Sequence, residues 1–258
     1  MLKMLRADLY KISKSKVLLI LLIILFFATS LNSIFGIESQ ISNNFSVYSN
    51  LFSDNILPGV SWIFVVPFVA KDLSSGFIKN IFPSYSGADK AYYILSKLFY
   101  IFALCLLYYI FNFIVNIIFA AAANPDDWMM YNPKRDSFTI GFFYLFYIAQ
   151  MMNAMAIGSL LMLLCVLIKR EYIVFIIVLP YMFLLGPMLY DFINETIALL
   201  AEKMSLVIDG FDIRFYAIFC VMSGASVDKE PLVVLILGIC YTIVFTLLSY
   251  VAVRRRNY

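Results

Sequence analysis

The chain has 258 residues, of which 64% are apolar and only 14% are charged, and its formal net charge is +3. Soluble domains are typically about half apolar and about a quarter charged, so this composition predicts an integral membrane protein. The length allows about six membrane-spanning helices of roughly 20 residues with short connections. Histidine is absent, which excludes Ser-His and Cys-His nucleophile pairs, HExxH zinc sites and histidine proton relays.

The N-terminal segment, residues 1–16, combines basic side chains with apolar residues at helical spacing. Leu2, Leu5, Leu9 and Ile12 recur every three or four positions, and the segment also contains five lysine or arginine residues. This pattern predicts an amphipathic helix that lies along the membrane surface and leads into the first span.

Six apolar stretches follow, and we predict that each crosses the membrane as a helix. They are residues 17–35, 56–70, 91–123, 138–168, 172–189 and 231–253. The second contains Pro58, Gly59 and Pro67, and the fifth is interrupted by Pro180 and Gly186-Pro187. Because such residues bend helices, both spans are predicted to be kinked or tilted. No repeat or low-complexity segment divides the sequence, which predicts a single domain.

The longest polar interval, Asp191–Glu230, lies between the fifth and sixth spans. It includes a semi-apolar patch, Phe215–Met222, that is too short to cross a bilayer. Backbone at membrane depth must be covered by protein, so two short helices that dip into the outer leaflet would fit this interval. Re-entrant outer helices are therefore the arrangement that we predict here.

Basic residues are concentrated in the loops on the side of the N-terminus. Of the 19 lysine and arginine residues, 14 lie on this side: five before the first span, four from Lys71 to Lys97, two at Lys169-Arg170 and three at Arg254–Arg256. Of the 16 acidic residues, 12 lie on the opposite side. The positive-inside rule therefore predicts that both termini and the loop after the second span are cytoplasmic.

The chain lacks the motifs of a self-powered transporter. It has no G-x-x-x-x-G-K-[ST] loop to hold ATP, and no acidic or basic residue in the middle of a predicted span. Proton- and ion-coupled transporters usually need such charged groups. The mid-span polar residues are Asn112, Asn116, Gln150 and Asn153. They either form interhelical hydrogen bonds or line a path for a substrate, and the sequence leaves both interpretations open.

The stretch Lys71–Lys97 is a polar break between long apolar runs, and we call its first part, Lys71–Lys90, the 71–90 loop. The stretch contains four lysines, two aspartates, two glycines and one proline. Within it, Gly76–Phe82 alternates apolar residues with a lysine and an asparagine. Such a segment suits burial in the groove of a partner protein, or alternatively contact with anionic lipid.

This loop and the N-terminal segment resemble the permease subunits of type-two ABC exporters. In that family an acidic residue, a glycine and an apolar-Lys-Asn run follow the second span, and a lysine opens the third. The corresponding residues here are Asp72, Gly76, Ile78-Lys79-Asn80, Ser84–Asp89 and Lys97, and the opening LRADLYKISKSK matches as well. The resemblance is greatest to the short permeases of Gram-positive lantibiotic-immunity, bacitracin-resistance and related peptide exporters. Phe77 stands where threonine is common, and Asp89-Lys90 where an arginine is usual.

The resemblance implies an architecture and a set of partners. It implies an all-α protein of six spans in a bacterial plasma membrane, where two permease subunits, identical or homologous, pair with two ATPase subunits. The partner ATPase would bind ATP and Mg, so this chain would be neither an enzyme nor the holder of a cofactor. A cytoplasmic coupling helix would enter a groove of the ATPase, using Asp72, Gly76, Phe77, Ile78, Lys79, Asn80, Ile81 and Phe82. The N-terminal helix would rest beside it, with Leu5, Asp8, Leu9 and Lys11.

Two functional hypotheses follow. In the first, the chain is the membrane subunit of an ATP-driven exporter of amphipathic or antimicrobial peptides, or of hydrophobic drugs. In the second, it is a non-transporting immunity or sensor protein whose acidic outer loop binds a cationic peptide. Membrane lipid is a partner in both hypotheses, and nucleic acid is a partner in neither.

Overall fold

The residues that the computed structural model describes form five helices with defined ends. We label them α1 (Gly87–Ala123), α2 (Ile140–Ile168), α3 (Glu171–Pro180), α4 (Gly186–Lys203) and α5 (Pro231–Arg255). Also described are residues 65, 66, 68–70 and 170, together with Arg6, Tyr10, Lys14, Lys16, Ile23, Phe27 and Ser30.

Regular secondary structure among these residues is helical throughout, and none of them lies in a strand. Three helices are long and apolar enough to cross a membrane, judged by length and composition: Asp89–Val115 in α1, Ile148–Ile168 in α2 and Leu232–Arg255 in α5. The prediction of an all-helical protein with apolar segments of membrane-spanning length is confirmed to this extent. The predicted spans 17–35 and 56–70 are described at a few positions, all of them helical.

α1 begins earlier than the predicted third span. Hydropathy placed the start at Ala91, whereas the helix begins at Gly87 and has Asp89 in its first turn. A carboxylate there is favourable because it interacts with the partial positive charge of the helix N-terminus. The earlier start places Lys97 about three turns inside the helix instead of at its opening.

α3 and α4 divide the stretch that was predicted as the fifth span. α3 ends at Pro180, whose ring removes a backbone donor, and α4 begins at Gly186-Pro187, where a proline is tolerated in the first turn. α4 continues to Lys203. The polar interval for which short outer helices were predicted therefore begins with helical residues.

α2 is the central helix of the described fold, and α5 packs along it in parallel. In its most apolar window 67% of α2 is buried, against 35% for α1 and 22% for α5. Val234 packs with Ala149, and Gly238, one turn later, lies against Met152 and Asn153. These contacts advance in the same direction along both helices. A Cβ atom on Gly238 would lie only 2.9 Å from the carbonyl carbon of Met152, a close approach of the kind that small residues allow in membrane helices.

α1 packs against α2 in the opposite direction. Ile101, in the first half of α1, contacts Gly158, in the second half of α2, where an added Cβ would lie 2.5 Å from the Ile101 Cγ2. The thiol of Cys165, near the end of α2, lies 3.9 Å from the carbonyl oxygen of Val66. Phe68, two residues later, contacts the first third of α1. The start of α1 and the end of α2 are therefore at the same level, so these helices are antiparallel.

This arrangement collects basic residues at one end of the helix bundle. The start of α1 lies at that end together with the ends of α2 and α5, and these termini carry Lys90, Arg170, Arg254 and Arg255. Such an asymmetry is typical of the cytoplasmic end of a membrane protein. Which side of a membrane this end faces stays a prediction.

We expect Gly238→Ala to destabilise the protein, because the new methyl group would overlap the α2 backbone, which cannot rotate away as a side chain can. Overpacking of this kind costs about 1–3 kcal/mol. Thermal unfolding of the purified protein in detergent should show a lower midpoint. Ile239→Ala, on the exposed face of the same helix, is the matched control and should change the midpoint little. An unchanged midpoint for Gly238→Ala would contradict the close approach of α2 and α5.

Candidate functional site

The residues predicted to couple the chain to an ATPase lie outside the described part of the structure. These are Asp72, Gly76, Phe77, Ile78, Lys79, Asn80, Ile81 and Phe82 in the 71–90 loop, and Leu5, Asp8, Leu9 and Lys11 in the N-terminal segment. Asn112 and Asn116 belong to α1, but their side chains are outside the described part as well. The roles assigned to all these residues stay predictions. What is described is the place where the loop leaves the helix bundle and the place where it returns.

Two other predicted residues, Gln150 and Asn153, lie in α2 and are buried. Their exposed fractions are 7% and 3%, and the backbone of Asn153 lies beside Gly238 of α5. Their side chains are therefore inside the packed helices and not on an open surface. This location suits interhelical packing better than the lining of a substrate path, although a path formed in another state stays a possible role.

The segment that precedes the loop is packed into the helix bundle. Val65, Val66, Val69 and Ala70 are almost completely buried and belong to the same apolar cluster as residues of α1 and α2. Because Lys71 follows directly, the loop begins at a firmly packed point.

A lysine and three aromatic rings connect this segment to α1. Tyr93, Lys97 and Tyr100 are four and three residues apart, so they share one face of α1. The ring of Phe68 stacks on Tyr100, with centroids 3.8 Å apart and planes inclined by 21°. The Nζ atom of Lys97 lies 4.0 Å from the centroid of Phe68 and 5.3 Å from that of Tyr93. We call these four residues the Lys97 cluster.

The cluster places a basic side chain deep inside a candidate span. Lys97 is 1% exposed, and it lies within the apolar segment of α1. A lysine at the centre of a membrane helix costs about 3 kcal/mol, and a cation over an aromatic face in a desolvated site gains about 2 kcal/mol. The rings of Phe68 and Tyr93 thus offset much of the cost of burial. The contact with Phe68 exists only while the 65–70 segment stays against α1.

The Lys97 cluster joins the two ends of the 71–90 loop. Phe68 lies just before the loop begins, and Lys97 lies in the helix to which the loop returns. An ammonium group, two phenols and a phenyl ring suit the holding of two segments together more than bond-making chemistry. Force applied to residues 71–86 would therefore be passed to α1 and its neighbours.

The sequence analysis missed this cluster, because it treated Lys97 only as the residue that opens the third span. Hydropathy placed the start of the helix too late, which left the lysine at the membrane edge. A local signal was present, since Tyr93 and Tyr100 stand at helical spacing on either side of Lys97. Phe68 belongs to a different predicted span, so its place in the cluster depends on tertiary packing that no local pattern contains.

No protein-family model matches the sequence, and a search of the curated proteins finds no significant match. The resemblance to exporter permeases is therefore carried by the residues quoted above.

Asn153→Asp is expected to prevent stable folding or to reduce it strongly. The new carboxylate would be buried beside the backbone of α5, where a charge costs about 3 kcal/mol or more. Asn194→Asp, at a partly exposed position of α4, is the matched control. Yield and monodispersity after purification in a mild detergent measure the effect. If Asn153→Asp is recovered as well as Asn194→Asp, this position is accessible to water and the packing interpretation is wrong.

Proposed function

We propose that the chain is the membrane-spanning permease subunit of an ATP-binding-cassette exporter, which moves amphipathic or antimicrobial peptides, or hydrophobic drugs, with energy from a separate ATPase. In this proposal six spans cross a bacterial plasma membrane and both termini are cytoplasmic. A second permease subunit, identical or homologous, and two ATPase subunits complete the assembly. The observation that carries the proposal is the Lys97 cluster, which ties together the two ends of the 71–90 loop.

An ATPase that pushes on a loop moves the membrane helices only if the ends of that loop do not yield. The 65–70 segment is buried among α1 and α2, and Phe68 is held by Tyr100 and Lys97. A plain surface loop on lipid needs no such attachment. The attachment therefore supports the coupling role over the lipid-contact alternative.

The distribution of charge supports the same role. Lys90, Arg170, Arg254 and Arg255 lie at the end of the bundle from which the loop emerges. The positive-inside rule assigns such an end to the cytoplasm, where an ATPase would dock. The sequence has no P-loop, so ATP would have to be hydrolysed by a partner.

In this proposal, closure of the ATPase subunits moves the 71–90 loop and, through it, the helices attached to it. Domain motions of this kind need hinges at a few residues between rigid elements. The interruption between Pro180 and Gly186 is one such place, because α3 ends and α4 begins there. The helices would then rock about this break and open a path between the two permease subunits.

Phe77→Glu is expected to abolish co-purification of the ATPase with the tagged permease. The substitution would bury an unpaired charge in the proposed groove, at a cost of about 3–5 kcal/mol, which corresponds to a loss of affinity of more than 100-fold. The measurement is a pull-down from cells that express both proteins, together with ATP turnover of the eluate.

Ser137→Glu is the control for this experiment, since it adds the same charge to a loop predicted on the other side of the membrane. It should leave both assembly and ATP turnover unchanged. Normal recovery of an active ATPase with the Phe77→Glu permease would refute the coupling role of the loop.

The proposed orientation predicts which loops react with reagents added outside the cell. In a cysteine-free background, Ser137→Cys should be labelled by a membrane-impermeant maleimide on intact cells. Ser74→Cys should be labelled only after the membrane is permeabilised, because the loop is cytoplasmic in the proposal. External labelling of Ser74→Cys would place the loop where no ATPase could reach it.

The alternative of a non-transporting immunity or sensor protein draws on α4. Asp191 and Glu195 are exposed on this helix, and carboxylates at a membrane surface attract cationic peptides. Protection against such a peptide that persists in cells without the partner ATPase would favour this alternative over export.

A further inference from the structure

We infer that Lys97 is a positioning residue, which holds the start of the 71–90 loop against α1 by standing over the ring of Phe68. The lysine thereby sets how a movement of the loop reaches the membrane helices. The contact itself can be tested in the isolated protein, whereas its role in transport rests on the proposed function.

The geometry gives the 65–70 segment one preferred position on α1. Apolar packing of Val65, Val66 and Val69 is not directional, so by itself it tolerates small displacements. A cation is attracted only by the face of a ring and only within about 6 Å of its centroid. Phe68 meets this condition at 4.0 Å from Lys97 while it also stacks on Tyr100 at 3.8 Å. Both contacts are made together in one register of the segment on the helix.

The same geometry opposes release of the segment. Lys97 is rooted in α1, so it would stay inside the bundle if Phe68 moved away. It would then lose the nearer of its two aromatic faces, an unfavourable change for a basic group at membrane depth. An apolar residue at position 97 would lose far less on release. The lysine therefore favours the attached position more than an apolar side chain of the same size would.

A native thiol reports whether the segment has moved. Cys165 of α2 is fully buried, and its sulfur lies 3.9 Å from the carbonyl oxygen of Val66. A maleimide can reach this sulfur only when the structure opens locally, so the alkylation rate measures the population of the open state. Replacing Cys105, Cys220 and Cys240 by alanine leaves Cys165 as the single probe.

The experiment compares alkylation of Cys165 in full-length variants reconstituted in lipid vesicles, with N-ethylmaleimide as the probe. Loss of a desolvated cation–π contact predicts alkylation about 10- to 30-fold faster in Lys97→Met. Phe68→Leu should accelerate the reaction similarly, and the double variant should be no faster than the faster single one, because both remove the same contact. Lys97→Arg and Phe68→Trp keep a cation and a ring face, so both should react near the original rate. Lys90→Met removes a lysine from the same helix and is the matched control.

Two results would overturn the inference: an unchanged rate in Lys97→Met, or effects of Lys97→Met and Phe68→Leu that multiply in the double variant. If Lys97→Met does not fold, Phe68→Leu decides by itself, because an unchanged rate with Lys97 in place excludes the contact as the attachment. Failure of Lys97→Arg to restore the rate would show that side-chain volume matters and the charge does not.

A second measurement tests the role in transport with the ATPase co-expressed. Lys97→Met should retain the ATPase in a pull-down and hydrolyse ATP, because the docking surface is unchanged, while export falls at least 10-fold and Lys97→Arg restores it. Full export by Lys97→Met would overturn the positioning role. If the unmodified chain binds no ATPase at all, the proposed function fails, and the alkylation results still decide whether Lys97 holds the segment.

Discussion

A positive charge inside an apolar bundle is the constraint on which the described fold depends. Lys97 is buried on the face of α1 that meets the 65–70 segment, and the bundle supplies aromatic faces where water would otherwise solvate it. Cation–π attraction falls away when a ring leaves the ammonium group. The position of Phe68 is thus coupled to that of α1, and with it the point at which the chain leaves the bundle. Apolar contacts alone would hold the segment without specifying its register.

The remaining packing follows the rules of membrane helices more than those of soluble cores. Lipid is as apolar as leucine, so helices associate through close fit and not through exclusion of water. α2 meets its neighbours at small residues, with Gly158 facing Ile101 and Gly238 of α5 facing the α2 backbone. Hydroxyl groups within these helices bond to their own backbone, as Ser159 does to the Ala156 carbonyl and Thr242 to that of Gly238, both at 2.7 Å. The broad apolar surface left on α1 and α5 is what a lipid environment requires.

Composition and hydropathy were enough to predict a helical membrane protein and to locate α1, α2 and α5 within a few residues. They could not locate the start of α1, because Asp89 and Lys90 are polar yet suit a first helical turn. For the same reason the depth of Lys97 was misjudged. Proline positions predicted the break after Pro180, but not the helix that follows it as far as Lys203. The Lys97 cluster combines a local pattern in α1 with Phe68, whose approach depends on three-dimensional packing. Gln150 and Asn153 show the limit of single-sequence reasoning, since an amide reads the same whether it faces a helix or a pore.

The contact at Gly238 limits how the molecule can change shape. No side chain lies between the backbones of α5 and α2 at this point, so there is no soft layer to absorb a twist. Turning α5 by one residue about its own axis would bring Leu237 or Ile239 to a place where even a methyl group does not fit. The two helices therefore have a single rotational setting, and an alternative conformation has to displace both of them together.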